Sequence, residues 1–559
     1  MSLSPVIPKV LPRILNLPRL NSWTIFVIIL ALLICSPVLV VLGSITHNSG
    51  EVWSHLASTV LPEYIWHSFL LMVGVTVGVL LIGVSTAWLV TMCRFPGSRL
   101  FQWLLLLPLA APAYLLAYTY TDLLDYYGVV QTWLRTAFGW TSVGDYWFPD
   151  VRSLGGAIAM FSLVLYPYVY LLTRVAFLEQ SLCTLEASRS LGCNPWHSFR
   201  KVALPLARPA IMAGLALALM ETLSDFGTVE FFGVTTFTTG IYRTWLGMGE
   251  RAAAAQLAAI LLLFILVLIV LERFSRRQSR YYQTSNRYHA LQGYQLGRFR
   301  AIGAIIACLL PVFLGFFLPA GILLHMTIAN AGETLDKSFW LLGRNSFILA
   351  AVTAIIAMIL ALVMAYGQRL VSNLGMRLAV RTAAMGYAVP GSVIAVGALI
   401  PMGRFDNWLD GWMEATWGIS TGLLLSGTIA ALIFAYLVRF LAVSFNTVES
   451  SLGKIKPSLD DAARSLGYNP TGTLLKVHVP LMSGGMLTAA MLVFVDVMKE
   501  LPATLVIRPF NFDTLAIQVY QYASDERLVE AAAPALAIIL VGIIPVIFLS
   551  LRINKSTSF

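Results

Sequence analysis

Apolar residues run through this chain in long blocks separated by short polar connections. Twelve blocks reach spanning length, at about 23–45, 65–92, 101–118, 154–177, 209–229, 252–271, 301–325, 346–367, 382–401, 420–441, 483–504 and 531–550. About 20 apolar residues suffice to cross a hydrocarbon core. With the connections numbered in order, most Lys and Arg fall in the N-terminus, the even-numbered connections and the C-terminus, whereas 17 of the 27 acidic residues fall in the odd-numbered ones. The positive-inside rule then places both termini in the cytoplasm. The pattern predicts an all-α polytopic membrane protein of about 12 transmembrane helices. Pro108, Pro112, Pro311, Pro319, Pro390 and Pro401 are expected to kink helices whose freed carbonyls need partners in the bundle or in a water-filled cavity. The first 22 residues are basic and polar and show no cleavable leader, so the first span is expected to anchor the chain outside any repeat.

A repeat organises the rest. The stretch Glu186 to Pro205, EASRSLGCNPWHSFRKVALP, returns as Asp461 to Pro480, DAARSLGYNPTGTLLKVHVP, at a constant offset of 275. Gly192 and Gly467 can take the left-handed conformation that ends a helix. Asn194-Pro195 and Asn469-Pro470 supply an N-cap followed by proline at the first helical position. The expected local structure is a helix, a tight turn and a short helix that stops before Pro205 or Pro480. Further matches extend the repeat: His67-Ser68-Phe69 with Asn345-Ser346-Phe347, and Pro112 with Pro390, both at an offset of 278. It covers about 67–229 and 345–504.

An even number of spans separates the copies, so the halves share one orientation about a pseudo-twofold axis along the membrane normal. The expected division is a first half at 1–271 with spans one to six and its repeated loop at 178–208, a basic cytoplasmic linker at 272–300, and a second half at 301–559 with spans seven to twelve and its loop at 442–482. The linker holds seven arginines, no lysine and one acid, which suits a topogenic anchor resting on anionic lipid.

Composition agrees: 58% of residues are hydrophobic and 11% charged, with mean hydropathy +0.79, against roughly 25% charged in a soluble domain. The formal charge of +10 would suit nucleic acid, but the placement of the basic residues makes it topology, so the expected partner is the lipid bilayer and no nucleic acid. Cys35, Cys93, Cys183, Cys193 and Cys308 have no metal spacing and are expected to be reduced and structural. No GxxxxGK[ST] loop or HExxH pair occurs, so no catalytic residue is assigned and the chain is not expected to be an enzyme.

Charge inside the spans marks a second candidate site. Glu221 and Asp225 match Asp496 and Glu500 at an offset of 275, each pair four residues apart and so on one helix face. Counted from Pro209, Asp225 lies roughly 24 Å along its helix at 1.5 Å per residue, in the outer half of the bilayer. Carboxylates at such depth are costly unless they face water, a cation or another ionisable group. Four of them would suit a hard cation, while Lys499 argues against a simple cage. The other reading is that they pair and cap broken helix ends near Gly227 and Pro502. Glu221, Asp225, Asp496, Lys499 and Glu500 are therefore the candidate path or gate, with any metal ligation unknown.

The repeated loop resembles the EAA loop with which ABC importer permeases dock their ATPase, and two copies in one chain resemble a fused permease. Ser188 in place of the second Ala, Asp461 in place of Glu and Val479 in place of Leu are its departures from that pattern. The segments ETLSDFGTVEFFG (221–233), TTFTTGIYRTW (235–245) and DVMKELPATLVIRPFNFDTLA (496–516) are similar to those of ferric-iron importer permeases. The resemblance implies a type I ABC importer permease fold in a bacterial inner membrane. It also implies two copies of a cytoplasmic ATPase docked at Glu186, Ala187, Gly192, Asn194, Pro195, Leu204, Pro205, Asp461, Ala462, Ala463, Gly467, Asn469, Pro470 and Pro480, and a periplasmic binding protein that delivers ferric iron. ATP and Mg would be held by the ATPase, with no cofactor on this chain. The alternatives are the same machine for sulfate, thiamine or a polyamine, and, in another class, a gradient-driven secondary transporter, which would not need two matched docking loops.

Overall fold

The computed structural model describes residues 22–46, 50–179, 194–277, 294–371 and 373–557. Among them, ten helices are long and apolar enough to cross a membrane, and two pairs of helices meet that test together across a sharp bend. In chain order these are Trp23–Thr46 (span one), Leu61–Met92 (two), Ser98–Ala110 with Ala113–Phe138 (three), Leu154–Leu178 (four), Trp196–Ser224 (five) and Arg251–Phe274 (six). The second series is Arg298–Ala329 (seven), Lys337–Leu370 (eight), Leu374–Ala388 with Gly391–Trp417 (nine), Ile429–Gly453 (ten), Pro470–Met498 (eleven) and Leu528–Ile547 (twelve).

The bends in spans three and nine, of 89° and 119°, share a cause. Pro112 and Pro390 lack an N–H and force an extended backbone on the residue before them: Ala111 has ψ 118° and Val389 ψ 126°. Both pairs still run from one end of the bundle to the other. Gln102 accepts from Arg174 near the end of span four, at 2.9 Å, while Thr121 and Asp125 share a cavity with Val151 and Arg152, just before that span begins. In the second half a Cβ added at Gly367, near the end of span eight, would meet Met376, and Asp406 accepts from Leu425 and Ser426 just before span ten. Each bent pair is one crossing, which gives twelve.

Spans five and eleven differ from expectation at their starts. Neither Pro205 nor Pro480 stops the short helix before it; helix runs on through a single π turn, Phe199–Ala203 in one copy and Leu474–His478 in the other. The Leu204 N–H reaches back to the Phe199 carbonyl, and the Val479 N–H to that of Leu474. The widened turn makes room for a proline ring that would otherwise strike the carbonyl four residues earlier.

The halves embrace. Span one packs on span nine of the second half, so closely that a Cβ on Gly397 would lie 2.3 Å from the Pro37 carbonyl oxygen. Span seven packs on the first half, where a Cβ on Gly315 would lie 2.6 Å from the Leu163 carbonyl oxygen. The same added Cβ on Gly315 would lie 3.2 Å from Pro108 of span three, so spans one and seven pack on matched spans of the opposite half, and span one, expected as an anchor outside the repeat, has a counterpart in span seven. Lipid-facing and core-facing positions divide cleanly in span two: Trp66, Phe69, Val73, Val77 and Leu81 are exposed, and Leu71, Val75 and Val79 are buried. Of the expected linker, residues 278–293 lie outside the described residues. Its far end, Tyr294–Gln295, pairs as a short parallel strand with Cys93–Arg94 at the end of span two. Cys35, Cys93 and Cys308 are free thiols; Cys183 and Cys193 lie outside the described residues.

Candidate functional site

Both spans that carry the paired carboxylates break at them. Span five ends at Ser224, Asp225 is extended (ψ 141°), and a short helix Gly227–Phe231 follows. Asp225 Oδ1 accepts from the backbone N–H of Thr228 at 2.8 Å and of Val229 at 3.3 Å, and Oδ2 from the Thr228 hydroxyl at 3.1 Å. Span eleven ends at Met498, and Glu500 Oε1 accepts from the Ala503 N–H at 2.9 Å at the start of the helix Pro502–Ile507. The carboxylates thus satisfy orphan N–H groups where no water of the bulk phase can. Because the helix stops at 224, Glu221 and Asp225 do not share a continuous helical face; each acts at a different point of the break. The same holds for Asp496 and Glu500.

All four carboxylates, with Arg439, Lys499 and Tyr387, line one cavity of about 110 Å3. Span four contributes Phe161, Val164, Leu165 and Tyr168 to it, the middle of that helix, so the cavity lies near mid-span and not in the outer half. The carboxylates do not form a metal cage: among the described residues no three His, Cys, Asp or Glu side chains stand close enough to hold an ion. Each is engaged instead. Arg439 Nη1 lies 3.3 Å from Glu500 Oε1, and its Nη2 lies 3.9 Å from Glu221 Oε2. Lys499 Nζ is 3.0 Å from Asp496 Oδ1, and the Tyr387 hydroxyl donates to Glu221 Oε1 at 3.1 Å.

Arg439 and Tyr387 were absent from the candidate set. The signal for Arg439 was on view, as a lone guanidinium inside an apolar span; that of Tyr387 was not, since nothing in sequence sets one tyrosine apart from the 20 others.

The second repeated loop has the expected helix, left-handed glycine turn and Asn cap. The helix Ser458–Ser465 contains Asp461, Ala462 and Ala463 and closes on Gly467 at φ +82°. The Tyr468 N–H returns to the Ala463 carbonyl and the Gly467 N–H to that of Arg464, the bonding of a Schellman motif. Asn469 then caps the next helix, accepting from the Gly472 N–H at 2.7 Å ahead of Pro470. In the first copy Asn194 likewise accepts from the His197 N–H at 2.7 Å ahead of Pro195, and Leu204 and Pro205 follow the π turn. Glu186, Ala187 and Gly192 lie outside the described residues. Leu466, Leu475 and, in the first copy, Trp196 are exposed, an apolar surface at the end of the bundle.

Sequence reading missed what holds the second loop. Arg369, at the end of span eight, donates to Asp460 Oδ2 and to the carbonyls of Leu452 and Ile455, and the buried His478 lies 2.6 Å from Asp460 Oδ1. Burial works to raise the Asp460 carboxyl, but hydrogen bonds from Arg369 and His478 outweigh it and hold it below the usual range. The first half carries Thr91, Leu185 and Ala203 at the matched positions.

Residues 79–280 match the family described as binding-protein-dependent transport system inner membrane component. The sulfate transport system permease protein CysT of Escherichia coli is 30% identical over 210 residues, covering 35% of this chain and 71% of that protein. The chain belongs to that family. The Fe(3+)-transport system permease protein FbpB 2 of Haemophilus influenzae is 26% identical over 540 residues, covering 94% of this chain and 97% of that protein. The molybdenum transport system permease protein ModB of Escherichia coli is 27% identical over 204 residues, 35% of this chain and 86% of that protein. This permease is thus an ABC transport component of the inner membrane in double-length form, with the type I fold.

Two outcomes follow for the purified permease. Arg439→Met should destabilise it by about 3–5 kcal/mol, because Glu500 is left buried and unpaired, and adding Glu500→Gln should recover most of that loss. Equal losses in the single and double variants, read by thermal unfolding in detergent, would contradict the pairing. A depressed carboxyl such as that of Asp460 contributes stability that is full above its ordinary value of about 3.9 and is lost as pH falls through its lower folded value. The melting-temperature gap between the native chain and Asp460→Asn should therefore narrow below about pH 4; a gap independent of pH would refute the assignment.

Proposed function

We propose that this permease is the fused membrane subunit of an ATP-driven importer that carries ferric iron from a periplasmic binding protein into the cytoplasm. The observation that carries the reading is the full-length likeness to a Fe(3+)-transport permease of the same double format, joined to a cavity in which four carboxylates face two cations. The surplus of negative charge favours a cationic substrate over an anion such as sulfate, although the sulfate permease has the higher identity over its shorter match. Thiamine and polyamines remain as cationic competitors in the transport assay below.

In this reading two copies of a cytoplasmic ATPase dock on the two repeated loops, residues 178–208 and 442–482, and both termini are cytoplasmic. ATP and Mg belong to the ATPase; this chain hydrolyses nothing and binds no cofactor. Nucleotide binding closes the ATPase dimer and draws the short helices after Asn194 and Asn469 together. The continuous helices of spans five and eleven carry that movement through the π turns to the breaks at Asp225 and Glu500. The halves, 1–271 and 301–559, then part around the cavity, with residues 272–300 as the connection between them.

Proteoliposomes that hold the permease and its ATPase, supplied with the binding protein, should take up labelled ferric iron in an ATP-dependent way and not sulfate, thiamine or spermidine. Asp225→Asn or Glu500→Gln should abolish that uptake while the complex still assembles; normal uptake by both variants would remove the path from this cavity. At Gly467, which is left-handed, a residue other than glycine costs about 1–2 kcal/mol, so replacing Gly467 and its sequence match Gly192 together by valine should leave ATP hydrolysis running while uptake falls to background. Retained coupling in that double variant would refute the docking role.

A further inference from the structure

The two halves supply the carboxylates of the cavity equally, but not its cations. Arg439 and Lys499 both belong to the second half, and the matched residues of the first are Val164 and Ser224. The second half is also shaped for its arginine. Gly391, directly after the break at Pro390, has no side chain where the ion pair sits: a Cβ there would lie 2.6 Å from both Arg439 Nη1 and Glu500 Oε1. The first half has Ala113 at the matched position.

Arg439 has two carboxylate partners of unequal hold. Glu500 is on its own half, 5% exposed, 3.3 Å away and fixed by the Ala503 N–H. Glu221 comes from the opposite half, is 30% exposed, stands 3.9 Å away, and has a second partner in the Tyr387 hydroxyl. Separating Arg439 from Glu500 would leave a buried carboxylate without its cation, the more expensive break of the two, whereas a partly exposed Glu221 turns to water when its contacts with Arg439 and Tyr387, both on the opposite half, give way. When the halves part, the bond that gives way is the one to Glu221.

We propose that Arg439 is a one-sided latch: a positioning residue that stays with Glu500 and holds the path shut through its longer contact with Glu221 of the other half. This rests on the reading of the cavity as the transport path and deepens it. Release of the latch does two things in one movement. It opens the seam between spans five and ten, and it frees the charge of Glu221 into the cavity while Arg439 stays buried. The opened path is more acidic than the closed one, which suits a cationic substrate, and the guanidinium does not block it.

The test uses Glu221→Gln, which removes the charge, keeps the size of the side chain and still offers Tyr387 an acceptor. Spin labels at Tyr127→Cys and Phe510→Cys, both almost fully exposed and on opposite halves, report the separation of the halves in the full chain, with its five native cysteines replaced, in nanodiscs. Glu221→Gln should shift the distance distribution toward the wider population. Arg439→Met/Glu500→Gln, which removes the latch without stranding a charge, should do the same, and the triple variant should widen no further. In complex with the ATPase, each should raise hydrolysis in the absence of binding protein several-fold. A merely structural pair would lower the melting temperature and leave the distances as they are. Unchanged distances in both variants would overturn the latch whatever the substrate. Wider distances in a chain whose uptake needs no ATPase would keep the latch and overturn the importer reading.

Discussion

A helix broken inside a bilayer exposes N–H groups that no bulk water can reach, and the interior of this permease depends on how that constraint is met. Asp225 and Glu500 meet it with side chains: each caps the short helix that restarts the chain after spans five and eleven. Carboxylates at such depth need counter-charge in turn, and Arg439 and Lys499 provide it. Six charged side chains thereby meet in a single cavity near mid-span. The charge at Asp225 and Glu500 goes with the broken helices that these two residues cap.

Among the described residues the two halves share the main backbone devices and differ in the chemistry that locks them. Proline breaks in spans three and nine, π turns ahead of Pro205 and Pro480, Asn caps and carboxylate caps recur in both halves. The groups that lock these elements do not recur. Arg439 is matched in sequence by Val164, and the Arg369, Asp460 and His478 cluster that secures the second loop by Thr91, Leu185 and Ala203. In the first half Trp88 of span two lies at a tilt 4.9 Å from Phe199 on the π turn. Fusing two halves into one chain allows such divergence, because each side is encoded separately.

Much of this was legible in sequence because it depends on local rules. Spanning length, the repeat, the left-handed Gly467 and the Asn caps follow from composition and spacing over a few residues, and each is where it was expected. The continuity of spans five and eleven was not legible: a proline after a short helix reads as a stop, and only the π turn, which has no residue signature of its own, shows how the helix absorbs it. The choice between cation site and paired caps was not legible in sequence for a related reason. Four matched carboxylates in sequence say nothing about which N–H or cation each will meet, and all four met partners within the protein. Arg439 was visible as a charge out of place, but its role needed the three-dimensional fact that Gly391 leaves room for it. The placement of span one against the second half needed the exchange of helices between halves, which no local pattern encodes.

In the proposed mechanism the path runs between the halves through the charged cavity. Ser224 is buried and lines it, whereas Leu81 on span two faces outward. The most direct measurement is the rate at which a charged thiol reagent modifies Ser224→Cys and Leu81→Cys, each in a chain freed of native cysteines, with and without nucleotide on the assembled complex. The account predicts that Ser224→Cys reacts at a rate that changes with nucleotide and that its modification blocks uptake, while Leu81→Cys stays unreactive in lipid. A Ser224→Cys variant that remains as unreactive as Leu81→Cys in every nucleotide state, in a complex that still transports, would contradict it.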